Sequence, residues 1–310
     1  MSQRIFVDGA VGTTGLEIAE RLASRADLDI ITLDEAQRKD AAARRDALNA
    51  ADVAILCLPD DAARAAVALI DNPNTRVIDA STAHRTAPDW VFGFHEIDPD
   101  GRRKVAGAMR VSNPGCYPTG FLALIIPLIR TGVLAPEWPV SVNAVSGYSG
   151  GGKAMIAEFE SGHTPTAWRT YALTMAHKHV SEMHRHSGLV HPPLFTPSVA
   201  NTYRGMIVDI PLLTGTMRDT PTPYVVNAIL RKAYDGCALV NVIEDFDATA
   251  LTIEHAAGSD RLDLFVFGNE DGSQMRLVAA LDNLGKGAAG AAVQSLNLMI
   301  GADECTGLRI

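Results

Sequence analysis

The sequence predicts an α/β protein, a doubly wound parallel sheet followed by an α+β second domain, on three observations. Short apolar runs alternate with helical patterns through the first third. A glycine-rich turn joins the first run to the first helix. Beyond Cys116 the alternation gives way to separated strand candidates and a histidine-rich segment.

The first observation sets the sheet. Ile5–Val7, Leu28–Leu33, Val53–Leu58 and Val77–Ile78 read as strands, and residues 13–25, 38–50 and 60–70 read as helices. Strands separated by helices form a parallel sheet, because each right-handed crossover returns the next strand beside its neighbour and leaves helices on both faces. After Cys116 a helix at 117–130 leads to a strand at 140–145, a glycine-rich loop, and further strands at 205–213, 239–243, 261–268 and 274–281. A last apolar helix at 285–300 is expected to pack back on the first domain. The expected division is 1–115, completed by a C-terminal helical segment 285–310, and 116–284.

The chain has 310 residues, 47% of them hydrophobic, enough for a substantial core. A net charge of −9 argues against nucleic-acid and anionic-membrane partners, which require concentrated Lys and Arg. Small molecules are the expected ligands. No secretory signal is visible, the longest apolar runs are shorter than the roughly 20 residues a bilayer requires, and the four cysteines form neither CxxC pairs nor a disulfide framework. A cytoplasmic protein is expected.

The turn after the first strand, Asp8-Gly9-Ala10-Val11-Gly12-Thr13-Thr14-Gly15, is a G-x-x-G-x-x-G variant of the dinucleotide fingerprint. Its glycines let the backbone approach a pyrophosphate, and the N–H groups of the helix start bind the negative charge. The second strand ends at Asp34-Glu35, acids that favour the ribose hydroxyls of NAD, whereas Arg38-Lys39 suit the extra phosphate of NADP. These residues leave both cofactors open; Arg44 and Arg45 read as a solvated helix face.

Ser112-Asn113-Pro114-Gly115-Cys116-Tyr117-Pro118-Thr119 puts a thiol at a helix start, where the dipole favours thiolate and so nucleophilic catalysis. Cys57, Cys237 and Cys305 read as inert. Ser146–Lys153 reads equally as an anion cradle and as a surface loop. His177–His186 holds four histidines and Glu182; His179 and Glu182 lie three apart on one helical face, a base with its orienter. The same cluster matches no zinc spacing, and no metal is expected.

Together these motifs resemble the short form of the N-acetyl-gamma-glutamyl-phosphate reductases, over essentially the whole chain. The resemblance rests on 9–15, Arg38-Lys39-Asp40, Cys57–Asp61, Asp79–Arg85, Ser112–Thr119, Ser146–Gly150, His177–His179 with Glu182, Tyr203–Gly205 and Asp282–Ala289. It departs at His95, where Pro is expected. The resemblance implies a Rossmann domain, a catalytic domain like that of the semialdehyde and glyceraldehyde-3-phosphate dehydrogenases, NADP as cofactor, an acyl phosphate as substrate, and a homo-oligomer, dimer or tetramer. It implies Cys116 as nucleophile and His179 as acid/base, with Glu182 and His177 in support. Cofactor contacts are expected from Gly9, Gly12, Thr13, Thr14, Gly15, Arg38, Lys39, Pro59, Ser81 and Asn283, and substrate contacts from Asn113, Ser149, Arg204 and Lys286. The rivals are an aspartate-semialdehyde dehydrogenase, a zinc hydrolase built on the histidines, and a nucleotide sensor without catalysis.

Overall fold

The computed structural model describes residues 2–162, 166–217, 219–244, 246 and 249–310. Two compact units emerge, 1–114 with 288–308, and 115–287 with 309–310.

In the first unit the chain runs β1 (Gln3–Asp8), α1 (Thr13–Leu22), β2 (Leu28–Ile31), α2 (Ala41–Ala50), β3 (Val53–Leu56), α3 (Asp60–Ala68), β4 (Arg76–Asp79), β5 (Val91–Phe92), α4 (Gly101–Gly107) and β6 (Arg110–Ser112). The sheet is parallel throughout, in the order β2-β1-β3-β4-β6-β5. Alternation decides which residues face which helices. Ile5, Val7, Val53, Ile55 and Ile78 pack on one side with Ile18 and Leu22 of α1 and with Val293 and Leu296 near the C-terminus. Phe6, Ala54, Leu56 and Val77 pack on the other with Ala47, Leu48 and Ala66. The sheet is doubly wound, as expected.

In the second unit follow α5 (Cys116–Arg130), β7 (Ser141–Gly147), α6 (Gly152–Glu160), β8 (Trp168–Thr170), α7 (His179–Ser187), β9 (Leu194–Ala200), β10 (Met206–Leu212), α8 (Pro223–Ala233), β11 (Val240–Val242), β12 (Leu262–Gly268) and β13 (Met275–Leu281). They form a mixed sheet, β11-β12-β13-β10-β7-β9-β8. Helix α5 lies against β10, β12 and β13, and a Cβ at Gly120 would come within 2.9 Å of Val208, so the small residue permits the close approach. Residues Gly285–Ala289 form a π turn that leads into α9 (Gly290–Ile300), which returns to the first unit beside α1 and α4. The helical part of the 285–310 segment therefore ends at Ile300, where Gly301 adopts φ 74°. Among the described residues no helix is long and apolar enough to cross a membrane.

Candidate active site

The nucleotide cradle follows β1. Gly9 has φ +87°, and a Cβ there would stand 2.3 Å from the Cys57 carbonyl oxygen; a Cβ at Gly15 would meet the Gly9 oxygen at the same distance. Only glycine fits either position. The Gly12 N–H donates to the Gly9 oxygen at 2.9 Å, and no side chain caps α1, which begins at Thr13 and Thr14. This is a turn shaped for close approach of a pyrophosphate to a helix start. A cavity of about 430 Å³ beside it is lined by Gly9, Ala10, Val11, the β2 residues and Arg38.

Asp34 is exposed, and one of its carboxylate oxygens is engaged locally. Its Oδ1 accepts the Gln37 N–H at 2.8 Å, while Gln37 Oε1 accepts the Asp34 N–H at 3.0 Å, a reciprocal capping pair. Arg38 Nε bonds the Asp34 carbonyl, and Lys39 is exposed. Arg44 corrects the sequence reading: it is not a solvated residue, because its guanidinium grips the buried Asp8 carboxylate at 2.7 Å. Arg45 pairs with exposed Asp71.

Pro59 sits at the N-cap of α3, beyond the end of β3. The loop after β4 is braced nearly residue by residue. The fully buried Asp79 accepts from Ser81 N–H (2.9 Å), Ser81 Oγ (2.7 Å) and His84 Nδ1 (2.6 Å). The Ser81 proton is thus committed inside the loop. Thr82 is fixed by Asp60. Arg85 donates to the Asn113 and Ala80 carbonyls, and the Asn113 N–H donates to Asp79 O at 2.7 Å. Asn113 is buried; its Nδ2 donates to Ala288 O, and its Oδ1 has no hydrogen-bond partner among the described residues.

Cys116 opens α5 after an extended Gly115, so it does sit at a helix start. Glu182, buried on α7, accepts the Gly115 N–H at 2.7 Å. This ties the histidine helix to the residue before Cys116, a link that the His179–Glu182 spacing did not suggest. Helix α7 begins at His179, so His177 lies just outside it, and its Nδ1 accepts the His179 N–H at 3.1 Å. Burial, with Lys178 adding a smaller repulsion, pushes the His177 imidazole down to about 4, so it is neutral near pH 7 and suited to accept. The Tyr117 ring meets both His177 and His179 edge-on, with centroids 6.0 and 5.8 Å away. The Tyr171 hydroxyl donates to that of Tyr117, which donates to Ser198 O. Burial raises both phenols, Tyr171 to about 12, and proximity to Cys116 adds to each shift.

The π turn supplies the other wall. A Cβ on Gly287 would come within 2.8 Å of Cys116 Cβ, and Lys286 beside it is buried. Asn283 Nδ2 donates to Ser149 Oγ at 2.8 Å while its Oδ1 accepts the Gly205 N–H, so these two expected site residues hold one another. Arg204 pairs at 3.2 Å with the fully buried Asp282. Within Ser146–Lys153, Ser146 and Ser149 are buried while Gly150, Gly151 and Lys153 are exposed, and α6 starts at Gly152. Tyr171 carries no spacing signal; His84, Asp282 and Gly287 lie inside the motifs at 79–85 and 282–289 but were given no role there, and the crowding at Gly287 exists only in three dimensions.

The other thiols differ from Cys116. Burial first, then Asp79 and Asp8, pushes Cys57 up to about 12, which keeps it a thiol. None of the four cysteines is in a disulfide. Among the described residues no three His, Cys, Asp or Glu gather to hold a metal ion, and the His184 ring lies against the Val190 carbonyl.

A nucleotide cradle on a parallel sheet, followed by a cysteine-initiated helix on a mixed sheet, defines a semialdehyde dehydrogenase. Residues 4–104 match the semialdehyde dehydrogenase NAD binding domain and residues 116–283 the semialdehyde dehydrogenase dimerisation domain. Within that class the chain belongs to the N-acetyl-gamma-glutamyl-phosphate reductase family. It is 48% identical to N-acetyl-gamma-glutamyl-phosphate reductase 2 of Nostoc sp., over 98% of this chain and 99% of that one. It is 49% identical to N-acetyl-gamma-glutamyl-phosphate reductase of Brucella ovis, over 97% and 100%. The fold is shared with aspartate semialdehyde dehydrogenase II of Vibrio cholerae (TM-score 0.71, 16% identity, 97% and 99% covered). It is shared also with aspartate semialdehyde dehydrogenase of Candida albicans (TM-score 0.65, 13% identity, 97% and 99% covered).

Proposed function

We propose that the chain reduces N-acetyl-glutamyl 5-phosphate to N-acetyl-glutamate 5-semialdehyde and phosphate, a step of arginine biosynthesis, with NADPH as reductant and a thioester on Cys116. The observation that carries the reading is Cys116 at the start of α5, walled by Gly287 and backed by α7 through Gly115 and Glu182.

The Cys116 thiolate attacks the acyl carbon, the C–O bond to phosphate breaks, and phosphate leaves with the bonding pair. When bound, the nicotinamide supplies the hydride that reduces the acyl carbon. The oxyanion left by that reduction takes a proton from His179 to give the thiohemiacetal, and the same proton returns to His179 as the C–S bond breaks to release the aldehyde and the Cys116 thiolate. Tyr117 N–H, in the first turn of α5, has no hydrogen bond among the described residues, and we assign it to the developing oxyanion, where a fixed donor acts most strongly. His177 and Glu182 position His179 and the Gly115 turn. Arg204, Ser149, Asn113 and Lys286 are assigned to the substrate, and Asn283 to the edge of the cofactor site.

Gly9, Gly12, Thr13, Thr14 and Gly15 hold the pyrophosphate in this reading, with Pro59 and Ser81 beside the dinucleotide. Arg38 and Lys39 select the 2′-phosphate of NADP, supported by the Asp34–Gln37 pairing that occupies one oxygen of the competing carboxylate. The active form is a homo-oligomer, dimer or tetramer, and the chain divides functionally at 115/116 and 284/285. Replacing Cys116 with Ala is expected to abolish turnover while NADPH binding stays intact; retained turnover would refute the nucleophile.

A further inference from the structure

In the loop after β4, His84 presents a ring nitrogen that bonds none of the described residues. His84 is held on three counts: Nδ1 lies 2.6 Å from Asp79 Oδ2, the ring stacks on Trp90 at a centroid distance of 4.1 Å and 12°, and only 12% of the side chain is exposed. Its Nε2 makes no hydrogen bond among the described residues. Asp79 has no exposure and also accepts twice from Ser81. A carboxylate on Nδ1 keeps the proton there, so in the neutral ring Nε2 is the acceptor. An imidazole fixed in ring plane and tautomer, with its other nitrogen unpartnered, is built to receive a donor from outside the protein.

Position says which donor. Ligands of open α/β sheets bind at the carboxyl ends of the strands. His84 follows β4, and the order β2-β1-β3-β4 puts β4 two places from the pyrophosphate turn, on the side away from β2. At about 4.8 Å per strand that is roughly 10 Å across the sheet. The adenosine half belongs over β2, where Arg38 lines the cavity; the β4 end is left for the other half.

We infer that His84 Nε2 accepts a hydrogen bond from the nicotinamide nucleoside half of the cofactor, from a ribose hydroxyl or the carboxamide N–H, with Asp79 and Trp90 as its positioning residues. Ser81, whose proton goes to Asp79, braces the loop in this arrangement. The inference rests on the dinucleotide reading above.

The test compares wild type, His84→Asn and His84→Gln. Asn offers an amide near Nδ1 and keeps a partner for Asp79 but loses Nε2; Gln restores a polar atom near Nε2. Dissociation constants are measured for NADP, for its 3-acetylpyridine analogue and for adenosine 2′,5′-bisphosphate, with thermal melts to verify folding. The expected result is about tenfold weaker NADP binding in the Asn variant, the loss of one hydrogen bond, with unchanged bisphosphate binding and partial recovery in the Gln variant. If the Asn variant weakens NADP alone, the donor is the carboxamide; if it weakens the analogue equally, the donor is the ribose. NADP binding within twofold of wild type in the Asn variant, or equal weakening of the bisphosphate, would overturn the assignment. A wild type that binds neither NADP nor the bisphosphate would overturn the dinucleotide reading and this assignment with it.

Discussion

Among single residues, small distances around one thiol decide what the site can accommodate. Gly287 leaves no room for a methyl group: its Cβ would lie 2.8 Å from Cys116 Cβ and 3.0 Å from Asp282 O. Gly287→Ala is therefore expected to displace the nucleophile and lower kcat by about 10²-fold, the cost of a misplacement near 1 Å. Steady-state kinetics check this, and near-normal kcat would mean that the wall is softer than the geometry implies. His177 gives a pH signature. Its folded-state value of about 4 lies below the ordinary 6.5, so between these values the unfolded chain binds more protons. Stability should then fall as pH drops from 6.5 toward 4, with the full contribution present above 6.5. Denaturant unfolding at several pH values should show a flatter dependence for His177→Asn; an identical dependence would contradict the burial argument. The place of Cys116 at a helix start was legible because turn residues, a cysteine and an apolar helix follow one another in the chain. The Gly115–Glu182 bond was not, since nothing in a sequence says which amide a carboxylate 67 positions away will choose.

Among the elements, those long enough to show periodicity were legible and those defined by pairing were not. Helix α5 and strands β1, β3, β10, β12 and β13 fall where apolar patterning puts them. The two-residue β5 and three-residue β6 and β8 lack the length for any pattern, and they exist because a neighbouring strand offers its backbone. Strand β9 has no clean pattern in the sequence because Pro192 and Pro193 precede it and Pro197 interrupts it. Its Pro197 is tolerated opposite Ala144 in a strand flanked by β7 and β8. The glycine turn before α1 makes a sharper claim. Gly15→Ala would drive a methyl into the Gly9 carbonyl, and the expected result is a loss of about 1–3 kcal/mol of stability together with weakened nucleotide binding. Thermal melts and cofactor titration measure both; a variant with unchanged stability and affinity would show that the turn relaxes freely.

For the whole molecule, the doubly wound sheet and the α+β second domain followed from the change in strand and helix alternation along the chain, whereas the strand order of the mixed sheet did not. The C-terminal helix was expected to pack back on the first domain, and residues 288–308 do join the first unit. The structure gives that helix its reason: Val293 and Leu296 complete the core on the α1 side of the parallel sheet, and the buried Asn297 bonds Arg25 and the Thr306 carbonyl. The His95 departure belongs to the same region. His95 is buried beside Glu96 and Glu304, and hydrogen bonds from His95 first and Arg102 second hold the Glu304 carboxyl below its ordinary range. Substrate choice was legible only through the resemblance, because side-chain spacing describes the reacting centre and not the remainder of the substrate.

The most direct test runs the reaction in reverse. Purified protein is mixed with N-acetylglutamate 5-semialdehyde, inorganic phosphate and NADP, and reduced cofactor is followed by absorbance, with aspartate semialdehyde as the parallel substrate and Cys116→Ala as the parallel protein. The account predicts phosphate-dependent NADPH formation from the N-acetylated semialdehyde by wild type alone. Turnover by Cys116→Ala, or by wild type with aspartate semialdehyde in preference, would contradict it.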